Sequence, residues 1–217
     1  MPEALEVTVT APVVSFRNPL YDGLQVGLPC PPPSTVGGML AAAAGGWDRV
    51  PPHTRFAMTF HAAGSGEDLE TYHPLGSPGT PTNVTIKIRD FLALVTLTVW
   101  LTEDIGLWTR AIRRPVWPLR LGRSQDLVAT AVRRAELTTS TGRQNHAIVP
   151  FGLPNATGTT MRLTTAISAD RARFTWDNYR YAPDGARVEI DTGLATADGQ
   201  ALALLPPVHP DRLAPTP

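Results

Sequence analysis

At 217 residues the chain is long enough for one large domain or for a domain with an extension. Its 42% apolar and 18% charged residues support a packed core and exclude global disorder, while 22 prolines, about twice the usual frequency, argue against an all-helical protein. The formal net charge is zero, and the single cysteine, Cys30, excludes an internal disulfide and makes a reducing cytoplasm the expected compartment.

In chain order, residues 5–11 alternate apolar and polar and predict a half-buried first strand. A loop through Phe16-Arg17-Asn18-Pro19 follows. Four prolines between Pro29 and Pro33 then lead into a helix, whose first turn the hydroxyl of Ser34 or Thr35 is expected to cap. Val36, Met39, Leu40 and Ala43 fall at i, i+3, i+4 and i+7, a single buried stripe, and Gly45-Gly46 closes the helix. On its other side Gly37, Gly38 and Ala41 leave room for another backbone, whether a sheet, a partner chain or a sugar-phosphate strand.

Residues 55–61 alternate again and predict a second strand. From 62 to 83 the pattern gives way to Gly, Ser, Pro and acidic residues, as expected of a protruding functional loop or hairpin. Alternation resumes over 84–89, and residues 93–101, rich in Val, Leu and Thr, predict a central strand. A second helix is expected to start at Glu103 or Asp104 and to bury Ile105, Trp108, Ala111 and Ile112. It ends at Pro115, with Arg110, Arg113 and Arg114 at its C-terminal end, where the dipole favours cations. Residues 116–121 are expected as a fourth strand.

The order strand, helix, strand, strand, helix, strand (βαββαβ) is the ferredoxin-like arrangement, shared with RRM-like sheets but here without their aromatic motif. The expected class is therefore α+β. The ferredoxin-like core occupies 1–125, with a hairpin or thumb at about 62–83. A smaller β-rich C-terminal extension follows at 126–205, with strands at 132–137, 161–167, 172–176 and 186–190. A loose Pro-rich tail covers 206–217. The longest apolar stretch, Phe91 to Leu101, is too short to cross a bilayer, and no secretory signal is expected.

Neutrality hides an uneven distribution of charge. Residues 105–145 carry 8 basic and 2 acidic side chains, against 5 and 10 before them and 6 and 7 after. An Arg-rich strip in a neutral protein is what a phosphate-binding face looks like.

Three motifs in order carry a family resemblance: the Pro-rich entry into Ser34-Thr35-Val36-Gly37-Gly38-Met39-Leu40, then Arg89-Asp90-Phe91-Leu92, then Pro115-Val116-Trp117-Pro118-Leu119-Arg120-Leu121-Gly122-Arg123-Ser124. Together they resemble the Cas-five family of CRISPR Cascade subunits, over roughly residues 5–130. The resemblance implies a subunit of a type I RNA-guided surveillance complex acting in antiviral DNA targeting. In that family a ferredoxin-like core holds the repeat-derived 5′ handle of the guide crRNA. A hairpin thumb reaches toward the backbone subunit (Cas-seven type), and another face docks the large subunit (Cas-eight type). Contact with target DNA near its PAM is left open.

On this reading the RNA-binding candidates are Arg17, Ser34, Thr35, Arg89, Arg110, Arg113, Arg114, Arg120, Arg123 and Ser124, with Arg133 and Arg134 extending the strip. For Arg17 a bond to Asp22 is the alternative, and for Arg89 a salt bridge to Asp90 or Glu103. Trp108 and Trp117 are expected in the core rather than against bases. The histidines, among them His53, His61, His146 and His209, lack partners at metal-ligand spacing. No Lys-Ser/Thr follows the glycine pairs, and no serine nucleophile elbow is present, so neither metal, cofactor nor catalysis is expected. The enzymatic alternative is a repeat-specific endoribonuclease. One branch of the resembled family cleaves precursor RNA with a Tyr, Lys and His set, for which only Lys87, with Tyr72 and His73, is available here.

Overall fold

A computed structural model describes residues 2–18, 26–72 and 84–213. The first strand, β1 (Glu3–Val14), is longer than its alternation and lies near the middle of the main sheet. Leu5, Val7 and Val9 point to one face and are fully buried there. Helices α1 (Pro33–Ala44) and α2 (Ile105–Arg113) cover that face. Val36, Met39 and Leu40 come from one helix, Trp108 and Ile112 from the other, and all pack into the same cluster. Trp108 is 1% exposed, so truncating it to alanine is expected to cost about 3–5 kcal/mol.

The start of α1 differs from expectation. Pro32 occupies the cap position and no side chain caps the helix; the N–H of Thr35 donates to Pro32 O at 2.9 Å. Pro33 at the first helical position has no N–H to satisfy and a φ already suited to the helix, which leaves little for a hydroxyl cap to do. Ser34 and Thr35 therefore sit inside the first turn. At the other end Gly45 is left-handed, φ 102°, and its N–H donates to Ala41 O, closing the helix as its sequence indicates.

Of the loop or hairpin expected from residue 62, the structure has the hairpin. Residues 62–72 continue β2 (Ala57–Tyr72), which pairs with β3 (Thr85–Leu101) in one antiparallel register from Ala57↔Trp100 to Tyr72↔Thr85. The outer arm is held by opposite charges: Asp68 faces Arg89 and Glu70 faces Lys87. Residues 84–89 and 93–101 are likewise one strand, in which Leu94 takes a φ of 49°. The hairpin tip, residues 73–83, lies outside the described residues.

The fourth strand is not at 116–121. Pro115 and Pro118 remove ladder donors there, and the segment is a loop whose Val116 and Trp117 N–H groups donate to Ala43 O and Ala42 O, both at 3.2 Å, covering the carbonyl end of α1. Its place beside β1 is taken by β4 (Ala129–Thr138), in register from Glu3↔Glu136 to Thr10↔Ala129.

Downstream, β5 (Gly142–Asn145) pairs with β9 (Ala186–Ile190), and β6 (Val149–Pro150) with β8 (Phe174–Tyr181), which also pairs with β7 (Thr159–Ile167). A short β10 (Ala195–Thr196) completes the main sheet, ordered β10-β4-β1-β3-β2. The chain is thus mixed α/β, and every named strand pair among the described residues is antiparallel.

The β6-β8-β7 sheet is fastened to the main core through Tyr181 of β8, whose hydroxyl donates to Phe60 O at 2.9 Å; burial pushes that hydroxyl's pKa up. Residues 205–213 are packed rather than loose. Leu205 N donates to Phe56 O, Val208 is buried against Gly37, and the His209 ring bonds Trp47 O at 2.9 Å. Residues 214–217 lie outside the described residues. Among the described residues, no helix is long and apolar enough to cross a membrane.

Candidate nucleic-acid interface

A groove of about 880 Å³ runs between the first turns of α1, the loop 116–124 and the turn joining β7 to β8. From α1 it is lined by Ser34, Thr35 and Gly38. The loop contributes Trp117, Arg120 and Ser124, and the β7–β8 turn contributes Arg171 and Phe174. Gly38 keeps the wall low: among the described residues nothing lies within 4 Å of where its Cβ would stand. The positive end of the α1 dipole faces the same region.

Trp117 is 58% exposed, not in the core, because the N–H groups of Val116 and Trp117 are spent on capping α1, which turns the indole outward. Trp108 does fill the core as expected. Phe174 at the start of β8 is also well exposed.

The β7–β8 turn is built to hold its shape. Ser168 N donates to Arg173 O, Arg173 N donates to Ser168 Oγ at 2.9 Å, and Ala172 N donates to Asp170 Oδ1 at 3.1 Å. The Ser168 hydroxyl and that amide hold the Asp170 carboxyl below its ordinary pKa. Arg171, at φ 58°, is presented from the tip. Neither Arg120 nor Arg171 forms an ion pair among the described residues.

Ser34, Thr35, Arg120, Arg123 and Ser124 therefore come together from separate stretches of chain. Arg123 is at the margin and already engaged. Its Nε donates to Asp126 Oδ1 at 3.1 Å, and its other end reaches Asp68 on the hairpin at 3.5 Å. Asp126 is buried and also accepts from Ser15 N and Arg123 N.

The other predicted cations go elsewhere. Arg89 pairs with Glu70 on the hairpin, not with Asp90 or Glu103; burial, then the nearby Arg123 charge, lower its pKa. Arg17 is exposed in a bridge to Gly27, and Asp22 lies outside the described residues. Arg133 and Arg134 point to opposite faces of β4 and pair with Glu6 and Glu3, at 2.6 and 2.8 Å. Arg110, Arg113 and Arg114 border a second groove, between α1 and α2, with Arg49.

The basic strip of the sequence is thus divided in space. Arg171 and Phe174 had no signal in the central charge block; the readable sign was Ser168 and Asp170, turn-forming residues between two strand patterns. The His61 and His146 rings lie 4.7 Å apart, but among the described residues no three His, Cys, Asp or Glu side chains converge to hold a metal.

A family model described as CRISPR-associated protein (Cas_Cas5) matches residues 4–187. The chain belongs to the CRISPR-associated Cas5 family. The match extends well beyond residue 130, so β5 to β8 fall inside the Cas5 region along with the main sheet. A solved structure described as a CRISPR RNA-guided surveillance complex contains a similar chain, with TM-score 0.55 and 18% identity over 91% of this chain and 93% of that one; the two share a fold. A CRISPR protein from Archaeoglobus fulgidus (TM-score 0.47, 12% identity, covering 93% and 99%) is more distant. So is a structure described as a Cas protein (TM-score 0.42, 18% identity, covering 86% and 95%). No curated protein matches this Cas5 sequence.

Proposed function

We propose that this Cas5 chain is a non-catalytic, cytoplasmic subunit of a type I CRISPR Cascade complex that holds the 5′ handle of the guide crRNA in the groove between α1, the 116–124 loop and the β7–β8 turn. The spatial order β4-β1-β3-β2, with α1 and α2 on one face, supports a ferredoxin-like core. The observation that carries the RNA reading is one open groove, in a Cas5 chain, that combines Arg120 and Arg171 with Trp117, Phe174 and the hydroxyls of Ser34, Thr35 and Ser124.

That combination suits a single strand. Arginine and the helix N-terminus neutralise phosphates, exposed rings stack on unpaired bases, and hydroxyls accept or donate at sugar and base edges. On the same reading the β2–β3 hairpin contacts the backbone subunit, capping its filament, and another face docks the large subunit.

The test is filter binding of labelled repeat RNA across a salt series. Arg120→Glu with Arg171→Glu is expected to weaken binding by at least about tenfold and to lower the log–log salt slope by about 1.4, since each single-strand phosphate contact contributes about 0.7. Arg187→Glu, exposed on β9, serves as the control and leaves both unchanged. Equal affinity and slope in the double variant refute the groove. The RNA is expected to stay intact throughout; a defined cut that Lys87→Ala abolishes refutes the non-catalytic reading.

A further inference from the structure

The second groove, between the C-terminal halves of α1 and α2, differs chemically from the first. Its volume is about 590 Å³, and it is lined by the aliphatic side chains of Leu107 and Val116 together with Arg49, Arg110, Arg113 and Arg114. None of these four guanidinium groups forms an ion pair among the described residues. The carbonyl end of α2 offsets part of their charge, but four cations around one hollow still repel one another.

What the groove lacks is what a single strand of RNA uses. Among the described residues no aromatic ring lines it, and the hydroxyl that does, Thr109 Oγ1, already donates to Ile105 O at 2.7 Å. Val116, 57% exposed, offers an aliphatic surface in its place. Aliphatic side chains beside four arginines without ion pairs match an amphipathic helix with acidic flanks: apolar anchors enter the hollow, and carboxylates meet guanidiniums in bidentate pairs.

We infer that the α1–α2 groove is a protein-docking site, distinct from the RNA groove, whose occupant is an acidic amphipathic helix of a partner protein. This does not depend on the RNA reading, because the two grooves share no arginine.

The experiment is fluorescence polarisation on the full chain with three labelled probes. The first is an amphipathic peptide with leucine at heptad a and d and glutamate at e and g. The second is the same peptide with glutamine for glutamate, and the third is an oligouridylate. The glutamate peptide is expected to bind at least about tenfold more tightly than the glutamine peptide at low salt, and to lose that advantage as salt screens the arginines.

Arg110→Glu with Arg114→Glu is expected to remove about tenfold or more of the glutamate peptide's affinity while oligouridylate binding stays within about twofold. Arg120→Glu with Arg171→Glu gives the reverse pattern. Val116→Asp, which places an acid in the groove lining, also weakens the peptide. All the substituted groups are at the surface, and unchanged thermal melts verify the fold; the milder Arg110→Gln with Arg114→Gln replaces any variant whose melt shifts. No preference for glutamate over glutamine, or peptide affinity unmoved by the arginine pair, overturns the inference. So does oligouridylate binding that falls with Arg110 and Arg114, which would assign the groove to RNA instead.

Discussion

Asp126 shows how one buried carboxylate decides what neighbouring arginines are for. It joins the end of β1 to the 116–126 loop through Ser15 N and Arg123 N, and it fixes the Arg123 guanidinium. Gly122, at φ 109° and with Ser15 O 2.6 Å from where its Cβ would stand, makes the close approach possible. Asp126→Ala strands a partly buried guanidinium and two amides, and is expected to cost about 3–5 kcal/mol in chemical denaturation. A loss under about 1 kcal/mol would mean that water replaces the carboxylate, and that Arg123 is available to phosphate after all.

Cys30 offers a convenient readout. It is fully buried, burial raises its thiol pKa, and it should react with alkylating reagents only on unfolding. Arg133 and Arg134 could not be sorted from sequence because their acids are remote: Glu6 and Glu3 precede them by more than a hundred positions. A count of charges carries no such information.

Among the elements, one-sided burial made things legible. The stripe Val36, Met39, Leu40 and Ala43 and the alternation in β1 exist because one face of each meets the core. The outer arm of β2 meets no core on either face, so selection for apolar residues left no period to read; only its pairing with β3 makes it a strand. Residues 116–121 misled in the other direction, since Val, Trp and Leu mimic a strand while Pro118, with Pro115 just before the segment, denies it a ladder.

The glycine pair of α1 separates cleanly. A Cβ on Gly37 would stand 2.7 Å from Val208 Cγ2 and 3.1 Å from the Trp47 ring, so Gly37→Ala is expected to destabilise by about 1–3 kcal/mol despite better helix propensity. Gly38 faces open space, so Gly38→Ala should stabilise by up to about 1 kcal/mol, whereas Gly38→Leu should intrude on the groove and lower RNA affinity. Thermal melts on the three variants decide this; equal shifts for the two alanine variants would contradict the packing of Val208 on α1.

For the molecule as a whole, the hairpin is an appendage in energetic terms. Among the described residues, none of 68–71 or 84–89 belongs to a buried cluster, and the arm exposes Leu69, Ile86 and Ile88 on one side. Replacing 68–89 with Asn-Gly, which joins the facing residues Glu67 and Asp90, should leave the circular dichroism native and cost no more than about 1 kcal/mol, since it removes mainly partly exposed ion pairs. RNA binding should survive, and incorporation into an assembly with the backbone subunit should fail. Unfolding of the shortened chain would show that the arm supports the core.

The covering of α1 by residues 205–213 also has a temporal meaning. The helix is made early, yet Val208, which fills the space over Gly37, follows every strand of the main sheet in the chain. β1 likewise waits for β3 on one side and β4 on the other. During synthesis the β2–β3 hairpin is the first long pairing available, and the nascent chain carries bare apolar surface on β1 and α1 until much later contacts close over it. A nascent chain that ends before residue 205 therefore leaves the Gly37 side of α1 bare even where β1 to β4 have paired.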